Sequence, residues 1–120
     1  MDNRGIYLII YTGPGQEDHP KTPGYLWMPT GCCKFGQTQN LEGVYTRYAK
    51  HCNNNVTVEI AGRFRDRDDI DLIEKKLHHR FDHQRLKNYN NRKTEWMKPI
   101  PVDELKKAFQ EVVNEHFQLF

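Results

Sequence analysis

The stretch Ile70–Phe81, IDLIEKKLHHRF, restricts the fold more than any other part of the chain. Ile70, Ile73, Leu77 and Phe81 recur at three- and four-residue intervals, which places them on one stripe of an α-helix. That stripe needs an apolar surface to cover it. Glu74 and His78 fall on the same stripe, one turn apart. A carboxylate on an inward face is costly to bury unless a metal ion, an arginine or a water-filled cleft compensates it. Two readings of Glu74 stand open: a functional acid held in a cleft, or a helix-edge acid that turns out to solvent.

The rest of the chain narrows the class. Its 120 residues suit one domain with one modest core, which two Trp, six Tyr and six Phe help to fill. With 28% charged residues and a mean hydropathy of −0.90, no apolar run approaches the ~20 residues of a membrane span. The start, MDNRGIYLII, does not read as a signal peptide, because an acid and an arginine precede a short apolar run. Cys32, Cys33 and Cys52 do not make a disulfide framework. They point to a reducing, intracellular compartment: the cytoplasm, or the nucleus in a eukaryotic host.

A net charge of +2 does not announce a nucleic-acid binder. Its distribution says more. Asp66–Glu74 holds five acids against Arg67, whereas Lys75–Lys98 holds eight Lys or Arg against two acids. A helix that starts acidic and ends basic matches its own dipole. The basic excess beyond Arg80 is more than the dipole needs. Lys75, Arg80, Arg85, Lys87, Arg92 and Lys93 are therefore the expected contacts to a nucleic-acid backbone. The plainer alternative is a solvated, lysine-rich loop.

In chain order, Gly5–Tyr11 (GIYLIIY) is β-branched and aromatic and predicts a central strand. Thr12–Gly24, with three Pro and three Gly, predicts a long loop. Tyr25–Met28 is a candidate short strand, and Cys32–Phe35 a second main strand that Gly36 ends. Thr38 or Asn40 can cap a helix carrying Leu41, Val44, Tyr45, Tyr48 and Ala49, with Gly43 weakening its start. Asn53–Asn55 predicts a turn, Val56–Phe64 a third strand, and Asp66 or Asp68 the cap of the central helix, which runs to about His83. Arg85–Thr94 reads as a polar, basic loop or the frayed end of that helix, and Glu95–Met97 as a short extended or turn segment. A last helix, about 102–118, presents Leu105, Phe109, Val112, Val113, His116 and Phe117 on one face. The expected fold is α/β (α+β): a small, three-stranded, mainly antiparallel sheet flanked by three helices.

These residues resemble the GIY-YIG nuclease superfamily, in particular the small stand-alone KIG-type domains of phages, large DNA viruses and bacteria. The first motif is literal: Gly5-Ile6-Tyr7. The second is Lys34-Phe35-Gly36, followed by Thr38 and Asn40. Arg47-Tyr48-Ala49-Lys50-His51 matches the helical arginine with its aromatic and basic-His pair. Glu74-Lys75-Lys76-Leu77-His78-His79-Arg80-Phe81 reproduces E-x-x-L-H-x-x-F, and Arg85 and Glu95-Trp96-Met97 match the closing motifs. The resemblance covers about residues 5–98. Three features depart from the pattern. Lys34 stands where the second tyrosine falls. The position eight residues after the second-motif glycine is Val44, and Arg47 comes eleven after. The 12–31 loop is long. No residue stands out as the family's late polar residue, for which Asn88, Asn90 and Asn91 compete.

The resemblance implies a metal-dependent endonuclease that hydrolyses DNA phosphodiester bonds. Glu74 would hold one Mg²⁺ or Mn²⁺, an ion that accepts one or two protein carboxylates and keeps several waters. Tyr7 would orient or deprotonate the attacking water, and with an ordinary pKa of ~10 it needs a nearby cation to act as a base. Lys34 could supply that cation and touch phosphate. Arg47 is the phosphate clamp, for which a planar guanidinium is suited. His78 could support the metal site or the substrate, or be structural. Structural zinc is not expected. Adjacent Cys32 and Cys33 point to opposite faces of a strand, and no finger spacing occurs beyond His79 and His83 at i+4.

Two rivals remain. One is a binding module for nucleic acid or protein on the same fold. The other is an interaction protein that kept only the scaffold. Convergence of Tyr7, Lys34, Arg47 and Glu74 on one cleft separates the first reading from the last. With no visible specificity element, sequence preference comes from loops such as 12–31, from a protein partner, or is absent.

Overall fold

The run Gly5–Tyr11 is apolar at nearly every position because both of its faces are covered. In the computed structural model it forms β1, with Ile6 and Leu8 packed on one side and Tyr7, Ile9 and Tyr11 on the other. Side chains alternate across a strand, so a strand buried on both faces loses the alternating pattern. The structure describes residues 3–17, 26–50 and 52–118, without the side chain of Ile60. The centre of the long loop, Tyr25 and His51 lie outside the described residues.

A short ribbon, β2 (Gln16–Glu17) with β3 (Trp27–Met28), brackets the loop. The main sheet comprises β1, β4 (Cys33–Thr38), β5 (Val56–Arg63), β6 (Arg85–Lys87) and β7 (Lys93–Met97), in the order β5-β1-β4-β7-β6. All its pairings are antiparallel. The expected three strands thus become five. The polar segment read as a loop is a hairpin, with Asn91 at φ 63° in its turn. Its charged residues sit at the sheet's end, where no burial forces an apolar alternation.

The second main strand also runs past Gly36 to Thr38, pairing with β1 as far as Gly5 opposite Thr38. Gly36 does not end the strand, because the ring of Tyr7, its partner in the ladder, occupies the space where a side chain would stand. Gly5 is required for a similar reason, since a Cβ there would strike the Gly62 carbonyl and Leu41.

Asn40 caps a 3-10 turn, Leu41–Gly43, which leads into α1 (Val44–Ala49). Gly43 marks the change of helix type. Asp66 caps α2 (Arg67–Arg80), its Oδ1 accepting from the Asp68 amide at 2.8 Å. α2 stops at Arg80, and a 3-10 turn follows at 82–84. α3 spans Val102–His116.

α2 and α3 cover one face of the sheet. Ile70, Ile73 and Leu77 of α2, and Leu105, Ala108, Phe109 and Val112 of α3, pack on Ile6, Leu8, Cys33 and Phe35. Phe35 stacks on Phe81 and Phe109, with ring centroids 6.3 and 6.1 Å away. Replacing Leu77 by Ala in this layer costs about 2–5 kcal/mol. The His116 ring meets Asp69 at 2.8 Å and ties the end of α3 to the start of α2. The opposite face holds Tyr7, Ile9 and Tyr11 under Leu41, Val44, Cys52 and Trp96. Among the described residues no helix is long and apolar enough to cross a membrane.

Candidate active site

β4 and β7 share one paired position, Cys33 opposite Met97. Beyond it, among the described residues, the edge of β4 from Lys34 to Thr38 has no strand partner. The candidate residues gather along this open edge. Even pairing puts Lys34 and Gly36 on the Tyr7 face, and Phe35 and Gln37 on the α2 face.

On the first face, Tyr48 of α1 is the hub. Its hydroxyl lies 3.0 Å from the hydroxyl of Tyr7. The Lys34 ammonium sits 5.0 Å from the Tyr48 ring centre and 5.7 Å from that of Trp96. The Arg47 guanidinium lies 5.9 Å from the Tyr48 ring centre. These are cation–π distances, favourable where water is excluded. Lys34 is only 9% exposed, and Glu95 balances its charge across an ion pair of 3.2 Å. Burial pushes the Tyr7 hydroxyl far above its ordinary pKa, the Tyr48 hydrogen bond pushes it further, and Arg47 only partly opposes this. Tyr7 is therefore a neutral phenol at physiological pH. It can donate one hydrogen bond and accept another.

On the second face, Glu74 is half-buried and does not swing away into solvent. Its Oε1 accepts from the Gln37 amide at 3.1 Å, and that same amide nitrogen donates to Asp71 at 2.9 Å. Burial raises the Glu74 pKa. The Gln37 hydrogen bond, His78 and Lys34 hold it back, and Glu95 pushes it up. Glu95 and Lys34 thus act electrostatically on Glu74, while Glu95 and Arg47 act on Tyr7, so the charges of the two faces lie within reach of one another. The His78 Nε2 stands 3.3 Å from the Phe35 carbonyl. A carbonyl only accepts, so Nε2 carries the proton and His78 satisfies a backbone group on the open edge.

A cleft of about 420 Å³ adjoins this site, between α1, the start of α2 and the end of β4. Gln37 and Arg47 line it, together with Arg4 and Arg67. The arginine at an unexpected register thus shares a cleft with Gln37, which donates to Glu74.

No group of three or more His, Cys, Asp or Glu that could hold a metal occurs among the described residues. Glu74 suits the other mode of binding, in which a hard cation takes one carboxylate and retains its waters. The half-buried carboxylate, drawn toward its neutral form by desolvation, gains from a cation.

The expected backbone contacts divide. Arg80 pairs with Glu111 on α3 at 3.1 Å. Arg85 donates to the Thr94 carbonyl at 2.7 Å and pairs with Asp82 at 3.2 Å, and Lys93 also pairs with Asp82. These three brace the β6–β7 hairpin and the helices. Lys75, Lys87 and Arg92 are exposed.

Sequence reasoning missed three members of this site. Tyr48 satisfies the helical apolar spacing and so reads as core. Glu95 belongs to a closing motif to which no role in the site was assigned. Gln37 follows a glycine taken as the end of the strand. A signal existed for the first two, since Tyr48 and Glu95 both belong to motifs carried by the resemblance.

No curated protein and no solved structure matches the chain. The family model of the T5orf172 domain matches residues 5–113, from the start of β1 to near the end of α3. The chain belongs to the T5orf172 domain family, which is related to nuclease-type modules of the GIY-YIG and HNH kind.

Proposed function

We propose that this domain is a metal-dependent endonuclease of GIY-YIG type that hydrolyses DNA phosphodiester bonds. What supports this reading is the linkage of Tyr7, Lys34 and Arg47 through Tyr48 and Glu95, with Glu74 on α2 within electrostatic reach of Lys34 and Glu95. Phosphodiester hydrolysis needs a positioned water, neutralisation of phosphoryl charge and a rigid frame. Glu74 would hold Mg²⁺ or Mn²⁺, which when bound supplies Lewis-acid stabilisation of the phosphoryl oxygens. Tyr7, held by Tyr48, orients the attacking water through its hydroxyl rather than removing its proton. Arg47 grips phosphate through its fork of donors. Lys34 is buried between two rings and reaches the substrate as a fixed positive field, moderated by Glu95.

The test is nicking of supercoiled plasmid by purified protein with Mg²⁺, with Mn²⁺ and with chelator, beside Glu74→Ala. Metal-dependent nicking that disappears in the variant is the expected result. Absence of nicking, or nicking that survives in Glu74→Ala, overturns the reading.

A second reading, a nucleic-acid-binding module with weak or lost hydrolysis, draws on one observation. Lys34 is already neutralised by Glu95, and Tyr7 is far from deprotonation. A salt-dependent DNA shift without cleavage selects it.

A further inference from the structure

The cleft beside the site has a second property, its cluster of arginines. Three guanidinium groups line it: Arg4 just before β1, Arg47 on α1 and Arg67 at the first turn of α2. Gln37 and Asn40 add amide groups, and no carboxylate is among the lining residues. An anion that enters the cleft would meet guanidinium donors from three separate elements. Guanidinium forks suit phosphate oxygens because they present paired, planar donors.

The attraction does not come from the terminus of α2. Asp66 caps that end and Asp68 lies in its first turn, so the helix's own positive pole is already met. It comes from side chains on three separate elements. About 420 Å³ is more than one phosphate group fills, and leaves room for a phosphodiester with its adjoining sugar. The position matters as well. Gln37 lines the cleft and its amide donates to both Glu74 and Asp71, so a phosphate seated there lies close to the acidic side of the site.

We infer that the Arg4–Arg67 side of this cleft is a phosphodiester-binding subsite. It anchors the nucleic-acid backbone beside the reacting phosphate, with Arg47 shared between the two. The inference takes its ligand from the nuclease reading. It also places an anchoring surface outside the 75–98 segment, where Arg80, Arg85 and Lys93 form ion pairs.

The test is anisotropy of a short fluorescent DNA duplex, titrated with salt in the presence of chelator, so that binding is read without cleavage. The variants are Arg67→Ala, an exposed site at the helix start, Arg4→Gln/Arg67→Ala, and Lys87→Gln/Arg92→Gln for comparison. Thermal melts confirm folding. Each lost phosphate contact should make the slope of log affinity against log salt shallower by about 0.9. Arg67→Ala should therefore show about one such step and the double arginine variant about two, with affinity down roughly tenfold or more. The Lys87/Arg92 variant should change less. Unchanged slopes in both arginine variants, or a wild-type protein that does not bind the duplex, overturn the subsite. Arginine-dependent binding by a wild-type protein that never nicks plasmid leaves the subsite standing and removes the nuclease reading.

Discussion

Tyr7 stands directly opposite Gly36 in the β1–β4 ladder, and its ring lies across the glycine where any side chain would project. The first two motifs of the resemblance thus meet in one contact. A methyl group on Gly36 would meet ring carbons and the hydroxyl of Tyr7 together, with no flexible chain end to yield. Gly36→Ala should destabilise the fold by about 1–3 kcal/mol, the usual cost of overpacking. It should also displace the Tyr7 hydroxyl from Tyr48. The double variant Tyr7→Ala/Gly36→Ala should lose less than the sum of the single losses, because the collision is gone. Urea unfolding of the four proteins measures this; strict additivity would mean that the contact is not the cause.

Lys34 and Glu95 form an ion pair whose two ends differ in exposure, at 11% for the lysine side chain and 51% for the glutamate. Losing Glu95 strands an ammonium among Tyr48 and Trp96. Losing Lys34 leaves a carboxylate that water can reach. Removing the partner of a buried charge is the costly direction. Glu95→Gln should therefore lower stability by about 1–2 kcal/mol, reduced from the buried-pair range because the pair is half open. Lys34→Met should cost less, since methionine keeps the apolar stem packed between the rings. The reverse order in urea midpoints would refute this assignment.

The central helix, the first strand and a cap at Asp66 or Asp68, of which the structure selects Asp66, were legible because each is written in a local pattern of spacing and end residues. The β6–β7 hairpin was not. Its side chains are largely polar and charged and alternate with no buried face, so nothing in Arg85–Thr94 separates strand from loop. The continuation of β4 through Gly36 was hidden for a different reason, since the glycine answers to Tyr7, some thirty residues earlier. The site followed the same division. Glu74 announced itself by sitting on an apolar stripe, whereas Tyr48 hid on one, since a tyrosine satisfies an apolar spacing and its hydroxyl's partner is visible only in three dimensions.

The three cysteines are buried and form no disulfide. Burial lifts the Cys32 thiol to about 12 and the Cys33 thiol to about 11, so neither forms appreciable thiolate at neutral pH. The folded protein should react slowly with a thiol-specific disulfide reagent at pH 8, and all three cysteines should react at once in denaturant. Rapid native reaction of Cys32 or Cys33 would show that their sheet positions open readily.

Glu74 is held against its charge by burial, so its pKa is raised in the fold. A carboxyl raised in this way favours folding below its unfolded pKa, where it is neutral in both states. It loses that advantage as pH climbs through the higher folded value. At pH 7 the desolvated carboxylate therefore opposes folding, unless a cation is bound. Glu74→Gln keeps an oxygen that can accept from Gln37 and removes the charge. In chelator the variant should melt above wild type at pH 7, by no more than about 4 °C, since the group is half exposed and screened. The gap should close as pH falls through the carboxylate range. Adding Mg²⁺ or Mn²⁺ should raise the wild-type melting temperature and leave the variant unmoved, because only the carboxylate gains from the ion. Equal responses of the two proteins to the metal would remove Glu74 as its ligand, whatever plasmid nicking shows.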